Sequence, residues 1–205
     1  SKNCSDYVME KVLDERSIVV LGSSELSFSN SPAYPPKLFN YGNSDFNMVL
    51  MGSGYFQCIP QAINVGALSN NTKNNKIVLI ISPQWFTHDG LTSESFCSRF
   101  EETNFVEFLK NDSISKETRI AVANRVNELL TSDPTALARV EKDERLYIDG
   151  SLNLLTRLEM AAYNSFRAEK AKFETAHALK SQDLPIEQER YVKAEDINWN
   201  ELMLK

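Results

Sequence analysis

The sequence is poor in the features that mark many common protein classes. No apolar run approaches the roughly 20 residues that a helix needs to cross a bilayer. Cysteine is scarce: Cys4, Cys58 and Cys97 form no C-x-x-C pair and make no disulfide framework. Histidine is scarcer, with only His88 and His177, so a Cys/His zinc site has no ligand set. The Gly-Lys-Ser/Thr of a P-loop is missing too. Positive charge is in deficit: 22 Lys and Arg face 28 Asp and Glu, a net charge of −6. Phosphate backbones need a positive surface, so nucleic acid is excluded as the main partner. The chain opens on Ser1, with no initiator Met and no signal peptide. A processed chain looks the same, so a missing anchor is no sign of a soluble parent protein. Neither a cofactor nor a metal is expected.

What is present is ordinary globular material. The 205 residues are 42% hydrophobic and 24% charged, enough for one good-sized domain or one domain with a helical appendage. Cys58 and Cys97 lie in apolar patterns and are expected to be buried.

The chain changes character near residue 90. Before it stand three continuous apolar runs rich in β-branched residues: Ser17-Ile-Val-Val-Leu-Gly22, Asn47-Met-Val-Leu-Met-Gly52 and Lys76-Ile-Val-Leu-Ile-Ile-Ser82. Such runs are expected of parallel strands covered on both faces. The stretch from Gln57 to Asn70 reads as the crossover helix of a βαβ unit. The segment from Ser27 to Asp45, with three prolines and with Tyr34, Phe39 and Tyr41, reads as a long irregular loop.

Beyond residue 90 the pattern is helical. Glu94 to Leu109 carries phenylalanines near helical spacing, and Ser115 to Thr131 continues in that manner. Asp133-Pro134 is a helix start and Asp149-Gly-Ser151 a break. Leu152 to Ser181 then runs about thirty residues without Gly or Pro. Leu155, Leu158, Met160, Ala162, Tyr163 and Phe166 crowd its first half, so that half is expected to pack and the charged half to project. The division expected is a parallel-sheet core over residues 1–90, a helical insert over 91–182 and a polar tail over 183–205. The fold class is α/β: a three-layer, flavodoxin-like parallel sheet, partial, with a large helical insert.

Open parallel sheets bind ligands beyond the carboxyl ends of their strands. Three polar turns fall there: Gly22-Ser-Ser-Glu25, Gly52-Ser-Gly54 and Ser82-Pro-Gln-Trp85. The first can present a nucleophilic serine on a tight turn, or simply cap a helix. The second lacks the third Gly of a dinucleotide fingerprint. The third can be a plain strand exit with a packed Trp, or can offer Gln84 as an amide donor and Trp85 as a wall. A serine nucleophile needs a base. His88 sits in a polar turn beside Asp89, and His177 in the charged half of the long helical stretch. Neither makes a convincing partner.

Val20-Leu-Gly-Ser-Ser-Glu-Leu26, the Gly52-x-Gly54…Gln57 turn and Ser82-Pro-Gln-Trp-Phe86 together resemble the DltD family. The resemblance implies an SGNH-hydrolase-like fold and a protein tied to the membrane by an N-terminal helix, on the extracellular face. It implies a part in D-alanylation of lipoteichoic acid in Gram-positive bacteria, by serine acyl-transfer or thioesterase chemistry. It places the nucleophile at Ser24, with Ser23 the near miss. Gly54, or less closely Gly52, matches a glycine of the oxyanion hole, and Gln84 falls where SGNH hydrolases carry an Asn. Ser23, Glu25, Gln57 and Trp85 are then substrate-contacting candidates, with Glu25 facing the D-alanyl ammonium. The partners implied are teichoic acid or another D-alanyl acceptor, a D-alanyl donor, and a D-alanyl carrier protein or membrane acyltransferase. The alternative is a non-catalytic membrane scaffold for those partners, and a third reading is an exported esterase of wall esters. The departure is large: no Asp-x-x-His occurs anywhere in the chain. The triad is therefore expected to be incomplete, the chain to be an N-terminal part of a family member, and one sheet edge to be open.

Overall fold

The structure is a computed structural model with side chains. It describes residues 9, 13–27, 31, 33–40, 44–69, 73–74, 76–86, 90–181 and 198. Its centre is a parallel sheet of β1 (Ser17–Gly22), β2 (Asn47–Gly52) and β3 (Ile77–Leu79), in the order β2-β1-β3. The register pairs Gly22 with Gly52 and Leu21 with Leu79, and the Ile80 N–H extends the second ladder to the Leu21 carbonyl at 2.8 Å. All three strands therefore end at the same side of the sheet. This is the α/β class expected from the unbroken apolar runs.

Seven helices accompany the sheet among the described residues. They are α1 (Pro35–Phe39), α2 (Cys58–Leu68), α3 (Ser93–Cys97), α4 (Glu102–Lys110), α5 (Lys116–Leu129), α6 (Pro134–Glu144) and α7 (Leu154–Ser181). Their starts are chemically marked. Thr92, Ser115 and Asp133 accept the Ser95, Thr118 and Ala136 N–H groups, and Pro134 takes the first position of α6. A π-turn, Arg145–Asp149, follows α6 directly. Gly150, in the left-handed region at φ 64°, ends it.

Two apolar clusters meet at α2. Leu68 joins Met9, Val19, Leu21 and Met51 against the sheet, while Ile63 faces Phe96, Phe105, Phe108 and Val126 of the later helices. Each fully buried phenylalanine contributes about 2–3 kcal/mol by leaving water. A Cβ on Gly66 would come 2.2 Å from the Phe108 ring, so this glycine lets α4 lie close on α2.

Five expectations need correction. The Ser27–Asp45 segment is not wholly irregular: α1 lies in it, and the Asn40 side chain brackets β2 by donating to the Met48 carbonyl and accepting the Met48 N–H. Tyr41 lies outside the described residues, and so does nearly all of the tail. The Glu94–Leu109 stretch is two helices, because the chain turns at residues 98–101 to place Phe96 and Phe105 in one core. Cys58 is exposed, since it opens the first turn of α2 on the side away from both clusters; Cys97 is half-buried. Strand β3 is short and covered only in part: Ile77 packs on the sheet cluster, whereas Val78 and Leu79 are each 45% exposed. Finally, the first half of α7 buries Met160 but leaves Leu155 (80%), Leu158 (60%) and Phe166 (66%) in solvent, with Ala162 also exposed. The helix docks instead through polar groups. Asn164 donates to Asp143 Oδ1 at 2.7 Å, Arg167 pairs with Glu102, and its guanidinium lies 5.1 Å over the Tyr163 ring.

Candidate active site

The parallel register sends three turns out of the sheet side by side. The serine turn after β1 is central, the Gly54 turn after β2 lies on one flank, and the Gln84 turn after β3 on the other. The first two are directly joined: the Ser23 hydroxyl donates to the Ser53 carbonyl at 3.1 Å.

The two adjacent serines have different duties. Ser23 is 3% exposed. Its hydroxyl holds the Ser53 carbonyl, and its N–H donates to Glu25 Oε1 at 2.7 Å. It stands at the cap position of the 3-10 turn Ser24–Leu26 but makes no side-chain cap bond. The simple helix-cap reading of this motif therefore fails. Ser24 is exposed, and its hydroxyl has no partner among the described residues. Gly22 is needed for this arrangement. A Cβ there would sit 2.6 Å from Glu25 Oε1 and 2.8 Å from the Leu26 side chain. Glu25 thus closes the turn by folding its carboxylate back on Ser23.

The glycines of the second turn also separate. A Cβ on Gly52 would meet the Gly22 carbonyl at 2.7 Å, so Gly52 serves the close approach of β1 and β2. Gly54 has no heavy atom within 4 Å of such a Cβ and stands in open space. The Phe56 N–H closes the turn on the Ser53 carbonyl at 2.9 Å, and Tyr55 takes φ 68°, a left-handed conformation that costs about 1 kcal/mol or more in a non-glycine residue. Gln57 follows at the start of α2, half-buried, without a side-chain cap bond.

Sequence reasoning missed Arg99. Its Nε–H donates to the Gly54 carbonyl at 2.8 Å, across 45 residues of chain. The residue is set between the fully buried Phe96 and the packed Phe100, whose rings lie 5.2 Å apart. Those aromatic anchors were legible; the long-range bond was not. Arg99 also lines a small cavity with Phe56, Pro60, Asn64 and Glu101. Burial there pushes the Glu101 carboxyl up to about 7, and the nearby Glu174 adds to the effect.

On the third turn Gln84 is exposed within Pro83–Trp85, and no described residue bonds its amide. Trp85 is 7% exposed and anchors the turn, with its N–H on the Ser82 carbonyl at 3.1 Å. It offers little surface as a wall, whereas the neighbouring Phe86 is 70% exposed. His88 lies outside the described residues. His177 is exposed on α7, near the Phe173 ring, and not at the strand ends. Among the described residues no cluster of His, Cys, Asp and Glu could hold a metal, and no helix is long and apolar enough to cross a membrane.

Ser24, Gly54 and Gln84 thus share one edge, each free of a competing structural duty for its side chain or, in glycine, for its space. Comparison with known proteins gives the family. A family model described as DltD protein matches residues 2–205. Protein DltD of Staphylococcus aureus is 31% identical over 107 residues, covering 52% of this chain and 27% of that protein. Protein DltD of Bacillus subtilis is 30% identical over 121 residues, or 58% of this chain and 31% of the relative. That of Lacticaseibacillus rhamnosus is 25% identical over 128 residues, with 62% and 30% covered. The alignments thus span under a third of each relative's length, while the family match takes in nearly all of this sequence: the chain belongs to the DltD family.

Proposed function

We propose that this chain carries the nucleophile and oxyanion side of an acyl-transfer site that serves D-alanylation of teichoic acid at the outer face of the membrane. The observation that carries the reading is the division of labour within Gly22-Ser-Ser-Glu25. Ser23 and Glu25 build the turn, and Ser24 is left exposed with a hydroxyl that bonds no described residue. A serine kept for structure would be bonded, as Ser23 is.

The step is ordinary acyl transfer. Ser24 Oγ forms a bond to the carbonyl carbon of a D-alanyl ester or thioester, and its proton passes to a base outside the described residues. The carbonyl electron pair moves to oxygen, where the Gly54 N–H and the Gln84 amide receive it. Collapse expels the thiolate or alcohol of the donor and leaves D-alanyl-Ser24. A hydroxyl of the polymer then takes the acyl group and restores the serine. The donor suited to this site is a D-alanyl carrier protein or a membrane acyltransferase that hands over its product.

Replacing Ser24→Ala in the whole parent protein tests this. The rate of D-alanyl ester formation on the cell-wall polymer is expected to fall by about six orders of magnitude, to background, about what loss of a serine nucleophile costs. Unchanged ester levels would remove the catalytic role and leave a scaffold for those partners.

A further inference from the structure

We propose that one proton latches α7 to the body: Asp143 is held as a neutral carboxylic acid that donates from Oδ2 to Asn164 Oδ1, and the helix loosens when that proton leaves for solvent. The ground for this is a mismatch of donors and acceptors inside a single bonded pair. Asn164 on α7 donates its amide to Asp143 Oδ1 on α6 at 2.7 Å and to the Tyr147 hydroxyl at 3.3 Å, which occupies both of its N–H groups. The other oxygen of each partner, Asp143 Oδ2 and Asn164 Oδ1, is buried and meets no donor among the described residues. With Asp143 ionised both are acceptors, and neither can satisfy the other. A proton on Oδ2 turns one acceptor into a donor and satisfies both at once.

The surroundings favour the neutral acid. Asp143 is fully buried, three residues from the equally buried Val140. Burial raises its carboxyl from the free value of 3.8 to about 6, and the charge of Glu102 on α4 works in the same direction. Arg167 of α7 and Arg139 of α6 pull the other way. Both guanidiniums are committed to Glu102, and neither makes an ion pair with Asp143 among the described residues. Glu144, next on α6, adds one more carboxylate nearby. The latch matters because Leu155, Leu158 and Phe166 are exposed, so α7 relies on polar bonds for its place. A second joint on this helix has the same sign: burial and then Glu174 of α7 push Glu101, at the start of α4, up to about 7. An undocked helix returns Asp143 to solvent and to its free value. Docking is therefore at full strength below about pH 4 and weakens by up to about 100-fold as pH rises to about 6.

The test is read on the 205-residue chain and needs no acyl-transfer activity. An NMR titration of the Asp143 carboxyl carbon is expected to have its midpoint near pH 6. Amide-exchange protection over α7, corrected for the intrinsic pH dependence, is expected to fall by up to about 100-fold between about pH 4 and 7, and by less over α4 to α6. Glu101→Gln silences the second joint. In that background Asp143→Asn, which sets an N–H where the proton sits, is expected to keep α7 at its acid level of protection throughout. An Asp143 carboxyl that titrates near 4 overturns the proposal, and this reading stands on the unaltered chain even if a variant fails to fold. So does a fall in protection that Asp143→Asn leaves unchanged in the Glu101→Gln background, or a fall spread equally over α4 to α7.

Discussion

The Nε–H of Arg99 donates to the carbonyl oxygen of Gly54 at 2.8 Å, and so ties the segment between α3 and α4 to the turn that follows β2. One bond couples the helices beyond residue 90 to the candidate site. The same turn holds its left-handed Tyr55 without help from a glycine at that position. The strained peptide is held from outside by the guanidinium of Arg99, whose chain segment is anchored by Phe96 and Phe100.

Loss of that bond is expected to loosen the Gly54 turn. Arg99→Ala in the whole protein should lower the acylation rate about 10-fold or more, because a displaced oxyanion donor costs up to about 10²–10³. Arg99→Lys cannot reproduce the Nε donor and should rescue little. The rate of serine-directed labelling reads this effect, with thermal melting as the control for folding.

The two glycines should respond in opposite ways. Gly52→Ala drives a Cβ into the Gly22 carbonyl, a backbone atom that cannot swing aside. It should destabilise the chain by about 2 kcal/mol or more. Gly54→Ala meets nothing in this structure, so its melting temperature should stay near that of the unaltered chain. Its effect should appear in the chemistry, where the added methyl group crowds the approach to the Gly54 N–H.

Ser23→Ala removes the side-chain bond that joins the β1 turn to the Ser53 carbonyl, leaves that carbonyl with the Phe56 N–H alone, and opens a small gap at a site only 3% exposed. A stability loss of about 1–2 kcal/mol follows, with the Ser24 hydroxyl still in place. Ser24→Ala, at an exposed and unbonded position, should change stability by less than about 0.5 kcal/mol. Chemical denaturation of the two variants side by side checks the contrast.

Glu101 sets a pH dependence. Its folded pKa, about 7, lies above the free value of 4.5, chiefly through burial and then through Glu174. The folded state therefore keeps a proton that the unfolded chain releases, and this group's contribution to stability falls as pH rises from about 4.5 to 7. Asp143, pushed up to about 6 by burial, acts in the same direction. Glu101→Gln should flatten the stability profile across that window. It should raise stability at pH 8 by about 1 kcal/mol, a figure kept low because solvent reaches part of the carboxyl.

Much of this was legible in the sequence. The runs at Ser17–Gly22 and Asn47–Gly52 gave both long strands to the residue, and Gln57–Asn70 gave the crossover helix, because continuous β-branched runs and turn glycines act locally. Asp133-Pro134 and Gly150 marked helix ends by equally local chemistry. What escaped was non-local. Nothing near Arg99 announces a bond to Gly54. The apolar crowding in the first half of α7 points to packing, yet Asn164 and Arg167 turn that helix so that its leucines face outward. Within Ser23-Ser24 the spacing left both serines eligible. Only the bonds that Ser23 makes single out Ser24 as the free hydroxyl.

The most direct test of the central claim is labelling with a fluorophosphonate, followed by peptide mapping, on the whole parent protein and on this 205-residue chain. The account predicts a covalent adduct at Ser24 of the parent, none at Ser23, and little or none in this 205-residue chain. An unlabelled parent, or an adduct at Ser23, would contradict it.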